Sequence, residues 1–179
     1  MESAALFAPW RMEYIRSLEK PKDDGCFICA AAAAATDAQR HERLVLWSTP
    51  HSLVLMNRFP YANGHLLVAP RLHKADPEEL TPDEHLDLSQ QMTEAIRLLR
   101  RAVSAQGFNL GVNLGRCAGA GVPGHLHHHV VPRWGGDVNF MAVVGEVRII
   151  PEAISQLYKE LVRVRETAAC SLRGIAKSE

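Results

Sequence analysis

Short apolar stretches, bounded by proline, glycine and asparagine, divide much of the chain into candidate strands. The first three follow one another closely, with Thr49-Pro50 and the turn-forming residues 60–64 between them. Two more lie on either side of a glycine-rich connection at 115–124. The pattern therefore predicts five strands, at residues 44–47, 52–56, 65–69, 108–114 and 126–132.

Apolar positions repeat at helical spacing in two longer segments. Thr81-Pro82-Asp83-Glu84 supplies a capping threonine, a proline at the first helical position and a glutamate three residues after the cap. An apolar stripe follows until Gly107, and a last helix opens at Pro151. An alanine run at 30–35 favours a further short helix. This order predicts an α+β fold, an antiparallel sheet of about five strands with two main helices.

Length and charge limit the classes of protein that the chain can represent. Its 179 residues suit a single domain, with a core at about 6–167 and a frayed tail at 168–179. Twenty basic and twenty acidic residues give a formal net charge of +0, so we expect neither nucleic acid nor a membrane as partner. The longest apolar run, 26–35, is half of what a spanning helix needs, and no secretory signal is evident. We expect a cytoplasmic protein.

Four of the nine histidines lie in the segment His125-Leu-His-His-His129. Because strand side chains alternate, His125, His127 and His129 are expected on one face and His128 on the other. Three imidazoles on one face could serve one polyanionic substrate. A histidine-rich surface strand and a metal-storage patch are the alternatives.

The segment before these histidines, residues 113–124, contains four glycines. Glycine lets backbone N–H groups approach and surround an anion. Joined to a strand that presents imidazoles, the loop supplies a nucleophile or acid together with an electrostatic cradle, which is what phosphoryl chemistry requires.

The sequence His125-Leu-His-His-His-Val-Val131 resembles the signature of the histidine triad (HIT) family. The resemblance extends through residues 6–14, through Asn57-Arg-Phe-Pro-Tyr-Ala-Asn-Gly-His65 and through 134–140, and thus from residue 6 to the last helix. It is closest to the bacterial branch near diadenosine tetraphosphate phosphorylases and hydrolases. His128 departs from the signature, which usually has an apolar residue there, and Gly121 stands where many members carry a hydroxyl group.

The resemblance implies a HIT-like fold and assigns chemical roles. His127 would attack the α-phosphorus of a nucleotide to form a nucleotidyl-histidine, which water or inorganic phosphate resolves. His129 would stabilise the phosphate oxygens. The remaining substrate contacts would come from Asn57 on the ribose, Asn113, Gly119, Ala120 and Gly121 around the phosphate, and Trp134 on the base. Asn57 could instead end a strand before a turn, and Trp134 could instead belong to the core or to a dimer interface.

Cys26 and Cys29 have the spacing that lets two thiolates bind one tetrahedral Zn²⁺. In similar zinc-bearing HIT proteins the other ligands correspond to His73 and His125 here. His65 is an alternative third ligand, although its place in the Gly64-His65 turn is closer to the face expected to carry the active site. Such a site would be closed and structural. The alternative interpretation is two reduced thiols and an unrelated surface histidine.

The resemblance leads us to expect an enzyme that acts on adenine dinucleotides, with inorganic phosphate as a possible acceptor, and it implies a homodimer. Arg116 or Arg133 could supply charge to the acceptor site, or could be solvated surface residues. A nucleotide-binding sensor or adaptor, a phosphoramidase-type HIT protein and a metal buffer are the alternatives.

Overall fold

Five antiparallel strands form one sheet in the order β1-β2-β3-β5-β4. The computed structural model describes residues 25–137 and 153–175, the last of these (169–175) by backbone alone. The strands of the described residues are β1 Val45–Ser48, β2 Ser52–Met56, β3 Leu66–Pro70, β4 Gly107–Val112 and β5 His128–Arg133. The predicted five-stranded antiparallel sheet is thus confirmed.

Two long helices cover the sheet, and the predicted α+β class is confirmed. The described helices are α1 Phe27–Ala32, α2 Asp37–Glu42, α3 Pro82–Val103 and α4 Ile154–Ile175, with two short 3-10 turns, Pro77–Glu79 and Arg116–Ala118. Helix α3 begins with the predicted capping box between Thr81 and Glu84. Helix α2 was not predicted, although Thr36 and Gln39 form a second capping box that marks its start. No helix of the described residues combines the length and apolar character that crossing a membrane requires.

Apolar side chains cover both faces of the sheet. On one face, even-numbered residues such as Val54 and Val68 pack with helices α3 and α4. On the other, odd-numbered residues such as Leu55 and Leu67 pack with α1. His129 pairs with Leu67 and therefore lies on the α1 face, whereas His128 pairs with Val68 and lies on the α3 face. The sheet thus separates His128 from the two neighbouring histidines, as the alternation predicted.

Several predicted boundaries differ from the structure; for example, the short helix spans Phe27–Ala32 instead of 30–35, and β4 ends at Val112 instead of residue 114. Strand β5 begins at His128 instead of residue 126, because the Leu126 N–H donates to the Lys74 carbonyl and the His125 N–H donates to Val122. Helix α4 continues to Ile175, past the point where its apolar periodicity ends.

Some predicted features lie outside the described residues. They are the similarity at 6–14, the residues 138–140 that complete the motif after Trp134, the helix start at Pro151, and the tail beyond Ile175.

Candidate functional site

His127 and His129 lie side by side, a few residues after the glycine-rich loop in the sequence. Their ring centroids are 5.1 Å apart and the rings are nearly perpendicular. His127 is 7% exposed. The two imidazoles therefore share one small, largely dehydrated region on the α1 face of the sheet.

A backbone carbonyl fixes the tautomer of His127. Its Nδ1 lies 2.8 Å from the carbonyl oxygen of His125, which can only accept. The proton of a neutral His127 is therefore on Nδ1. Its Nε2 keeps a lone pair, which is the form that a nucleophile needs.

A chain of hydrogen bonds fixes the opposite tautomer in His129. The backbone N–H of Tyr61 donates to His65 Nδ1 at 3.1 Å, so the proton of neutral His65 is on Nε2. That Nε2 lies 2.9 Å from His129 Nδ1, which must accept. His129 then carries its proton on Nε2, a buried atom without a hydrogen-bond partner among the described residues. The site therefore holds a lone pair on one ring and an unused N–H on the next.

His65 and His129, the two histidines in this series of hydrogen bonds, stay neutral near pH 7. Burial lowers the pKa of His65 to about 3, with further contributions from His129 and His127. Burial, with further contributions from His127 and His128, lowers the pKa of His129 to about 4. The N–H of His129 is therefore a neutral hydrogen-bond donor.

His65, the alternative metal ligand, lies beside His129 and outside the Cys/His cluster, and thus on the face toward which its turn was expected to lie. It bonds His129 and Tyr61, and the Tyr61 ring stacks on it with centroids 4.9 Å apart. Strand order could have predicted this position, because a residue just before β3 lies beside β5 once these two strands pair.

The Asn57 side chain orients His65 and thereby the same series of hydrogen bonds. Its Oδ1 accepts from the Phe59 N–H at 2.9 Å, and its Nδ2 lies 3.2 Å from His65 Nδ1. Both ends of the amide are engaged in the turn, which matches the predicted alternative of an asparagine that ends a strand.

The glycine-rich loop uses part of its backbone internally. The Gly119 N–H donates to the Arg116 carbonyl and the Ala120 N–H donates to Gly115. Two of the three amides predicted to surround a phosphate are thus occupied, whereas the Gly121 N–H makes no backbone hydrogen bond within the described residues. Asn113 lies beside Gly119, as expected: its Nδ2 is 3.9 Å from where a Cβ would stand.

The remaining two candidates for substrate contact have structural partners. Trp134 packs against the core beneath α3 and donates its indole N–H to the Val103 carbonyl at 3.0 Å. This favours the core interpretation over stacking on a base. The Arg133 guanidinium binds both carboxylate oxygens of Asp137 and the Asn109 side chain, so each of its three nitrogens already has a partner. Arg116 remains as the candidate for an acceptor site.

Cys26, Cys29, His73 and His125 form a compact cluster. One ligand atom from each lies within 4.8 Å of those of the other three. His125 Nδ1 is 3.2 Å from the Cys26 sulfur and 3.4 Å from the Cys29 sulfur, and His73 Nδ1 is 3.2 Å from Cys29. Sulfur and nitrogen ligands of one tetrahedral Zn²⁺ would be about 3.6 Å apart. The four predicted ligands therefore form a group that could hold a metal ion.

The His125 tautomer suits a metal ligand. Its Nε2 donates to the Pro70 carbonyl at 2.9 Å, which leaves the Nδ1 lone pair directed at the two sulfurs. Burial lowers the pKa of His125 and raises the pKa of the Cys29 thiol. A ligating histidine whose second nitrogen donates to a carbonyl is the usual arrangement in metal sites.

The fold and the histidine arrangement define a histidine triad protein, and comparison with known proteins agrees. The HIT domain model matches residues 39–136, more than half of the chain. The chain belongs to the HIT family.

Individual relatives are consistent with this assignment. An AP-4-A phosphorylase of Mycobacterium tuberculosis is 34% identical over 158 residues, which cover 83% of this chain and 77% of the relative. A bis(5'-nucleosyl)-tetraphosphatase (asymmetrical) of Schizosaccharomyces pombe is 34% identical over 89 residues, 50% of this chain and 48% of its own length. A Zn-bound histidine triad family protein of Mycobacterium smegmatis shares the fold, with a TM-score of 0.65 at 24% identity over 82% of this chain and 97% of the other.

Proposed function

We propose that this protein cleaves dinucleoside polyphosphates such as diadenosine tetraphosphate at the α-phosphorus, with His127 as nucleophile. The names of the two relatives, a phosphorylase and a tetraphosphatase, support this substrate class. The observation that carries the proposal is the pair of opposite tautomers, with a lone pair on His127 Nε2 beside an N–H on His129 Nε2.

The first step forms a bond from His127 Nε2 to the α-phosphorus. It breaks the bond from that phosphorus to the bridging oxygen, and the nucleoside polyphosphate leaves, which is ATP when the substrate is diadenosine tetraphosphate. Positive charge then develops on the His127 ring, and the His125 carbonyl that accepts from its Nδ1 stabilises that charge. His129 donates from Nε2 to a non-bridging oxygen of the phosphorus under attack. The Gly121 N–H and the Asn113 side chain offer further donors at the rim of this region.

In the second step an acceptor oxygen attacks the phosphorus and the bond to nitrogen breaks, which restores His127. We propose inorganic phosphate as this acceptor, as in the phosphorylase relative, with Arg116 as its cationic partner. Diadenosine tetraphosphate would then give ADP and ATP. Water in the same place would give AMP and ATP.

We also propose that Cys26, Cys29, His73 and His125 hold one structural Zn²⁺. The ligand distances and the His125 tautomer fit a tetrahedral metal with two thiolates and two imidazoles. When bound, the metal supplies cross-linking of the α1 segment to the histidine segment and no chemistry at the phosphorus.

We propose a homodimer formed through strand β4. Within the described residues this strand pairs with β5 alone and is an edge of the sheet. Its outer side carries unpaired backbone groups, and Leu110 is 51% exposed. An edge of this kind favours pairing with a second copy.

The products from diadenosine tetraphosphate and labelled inorganic phosphate test this function. We expect label in ADP, formed in amounts equal to ATP, and no turnover by the His127→Ala variant. Unlabelled AMP plus ATP, formed at the same rate without phosphate, would make the protein a hydrolase. Tight nucleotide binding with no product under either condition would overturn the enzymatic proposal and favour a sensor, and cleavage confined to nucleoside phosphoramidates would favour that alternative class.

A further inference from the structure

A buried ion pair joins helix α3 to the loop that follows β3. The Lys74 ammonium lies 2.6 Å from Glu84 Oε2, and the two side chains are 18% and 5% exposed. The same carboxylate oxygen accepts the Thr81 N–H at 2.7 Å in the capping box. Lys74 is thereby attached to the first turn of α3.

The loop that carries Lys74 contacts the histidine segment at successive points. The Pro70 carbonyl accepts from His125 Nε2, and the His73 ring meets the His125 ring edge-on with centroids 5.0 Å apart. The Lys74 carbonyl accepts from the Leu126 N–H at 2.7 Å. Leu126 lies between the candidate metal ligand His125 and the candidate nucleophile His127.

We propose that Lys74 and Glu84 are positioning residues that set the geometry of the metal site and of the nucleophile together; this inference rests on the proposed function. Glu84 fixes the Lys74 ammonium and hence the loop backbone. The loop backbone fixes residues 125 and 126, and the His125 carbonyl in turn orients His127 through its Nδ1.

Comparison with the other ion pairs of the described residues supports a special role. The other three join residues three or four apart in sequence and are more exposed, for example Arg163–Glu160 at 69% and 36%. Lys74–Glu84 spans ten residues and links separate elements. A buried ion pair adds little net stability over apolar residues of the same size, so stability alone does not account for this one.

The test compares Glu84→Gln, Lys74→Met and the double variant, with Glu160→Gln as the control at an exposed ion pair. For each protein we would measure Zn²⁺ affinity by chelator competition, melting temperature, and kcat and KM. Glutamine still serves in a capping box, so Glu84→Gln keeps the start of the helix. We expect Zn²⁺ affinity and kcat to fall by about 10- to 100-fold in Lys74→Met, the range seen when partners of metal ligands are removed, with KM changed by less than about twofold.

The double variant separates positioning from general stability. It leaves no unpaired buried charge, so at equal free Zn²⁺ we expect its melting temperature to rise above that of Lys74→Met while Zn²⁺ affinity and kcat stay as low as in that variant. Recovery of all three, or unchanged affinity in Lys74→Met, would overturn the inference alone. A wild-type protein that binds no Zn²⁺ and turns over no dinucleotide contradicts the proposed function, and this inference falls with it.

Discussion

Two neighbouring histidines have opposite tautomers, and backbone groups decide which ring has which. In the proposed mechanism His127 offers an electron pair, and the His125 carbonyl holds its proton on Nδ1. His129 would offer a hydrogen bond from its N–H, and the Tyr61 N–H sets that tautomer through His65. The chemistry of each imidazole thus follows from the single partner of its other nitrogen.

The first prediction at this scale compares His127→Ala with His128→Leu. Loss of the nucleophile should lower kcat by several orders of magnitude, because only electrostatic and binding effects remain. His128 lies on the α3 face, away from both rings, and leucine suits the apolar position of the signature. Steady-state rates with diadenosine tetraphosphate check both variants. Comparable losses in the two would contradict the assignment of the nucleophile.

The second prediction concerns stability against pH. His65 has its pKa lowered to about 3 in the fold and takes up a proton near pH 6.5 when unfolded, so the unfolded state binds more protons in between. Above about pH 6.5 His65 is neutral in both states, so it does not make the free energy of unfolding depend on pH. Below that pH the free energy of unfolding falls as the pH decreases, by up to about 1.4 kcal/mol per pH unit.

Urea unfolding of the wild type and of His65→Gln between pH 6 and pH 5 measures this contribution. We expect the free energy of unfolding to depend less steeply on pH in the variant. The pH-dependence of groups that do not contact His65, including any metal ligands, is common to both proteins and cancels in the difference. Equal slopes would show that His65 titrates normally in the fold.

At the level of elements, the sequence predicted correctly that His128 and His129 lie on opposite faces of the sheet, but it did not predict which residues contact them. Side-chain alternation separated His128 from His127 and His129, and the structure has the same separation. The place of His65 depends on the β3–β5 pairing, a long-range contact that local periodicity does not contain. The internal use of the Gly119 and Ala120 amides likewise depends on loop geometry that composition alone does not specify.

Helix α1 shows how an element as short as six residues can position two candidate metal ligands. Cys26 is its N-cap and Cys29 lies in its first turn, so one helical turn brings both sulfurs toward His125. Spacing alone predicted that the thiols approach each other, and the resemblance named the two histidines. Only the long-range packing of the fold brings Cys26 and His125 together.

The prediction for this element is that Cys26→Ser loses metal and thermal stability together. Structural zinc contributes its binding free energy to folding, so removal of a thiolate should lower the melting temperature and the Zn²⁺ content in parallel. Elemental analysis and thermal unfolding of protein purified without a metal-affinity tag check this. Cys117 is an exposed thiol outside the cluster, and Cys117→Ser serves as the control. A metal-free wild type whose melting temperature equals that of Cys26→Ser would support two ordinary reduced thiols.

At the scale of the whole molecule, the two edges of the sheet differ in how they are covered. Strand β1 lies under α2 and α4, and the Tyr158 hydroxyl of α4 donates to the Val45 carbonyl at 2.8 Å. Strand β4 has no such cover among the described residues, and its middle residues 109–111 are exposed. Phe108 and Val112 pack on the core, whereas Leu110 between them does not.

This asymmetry predicts that Leu110→Asp dissociates a dimer. A carboxylate introduced on the edge would oppose its own copy across a two-fold axis and lose water on pairing, so association should weaken by at least about tenfold. Leu86 on α3 is exposed to a similar degree, 59% against 51%, and Leu86→Asp should leave the mass unchanged. Light scattering after size-exclusion chromatography distinguishes the species. A wild type that stays monomeric at high micromolar concentration would contradict the dimer. A dimer that survives Leu110→Asp but not Leu86→Asp would instead place the interface on the exposed side of α3.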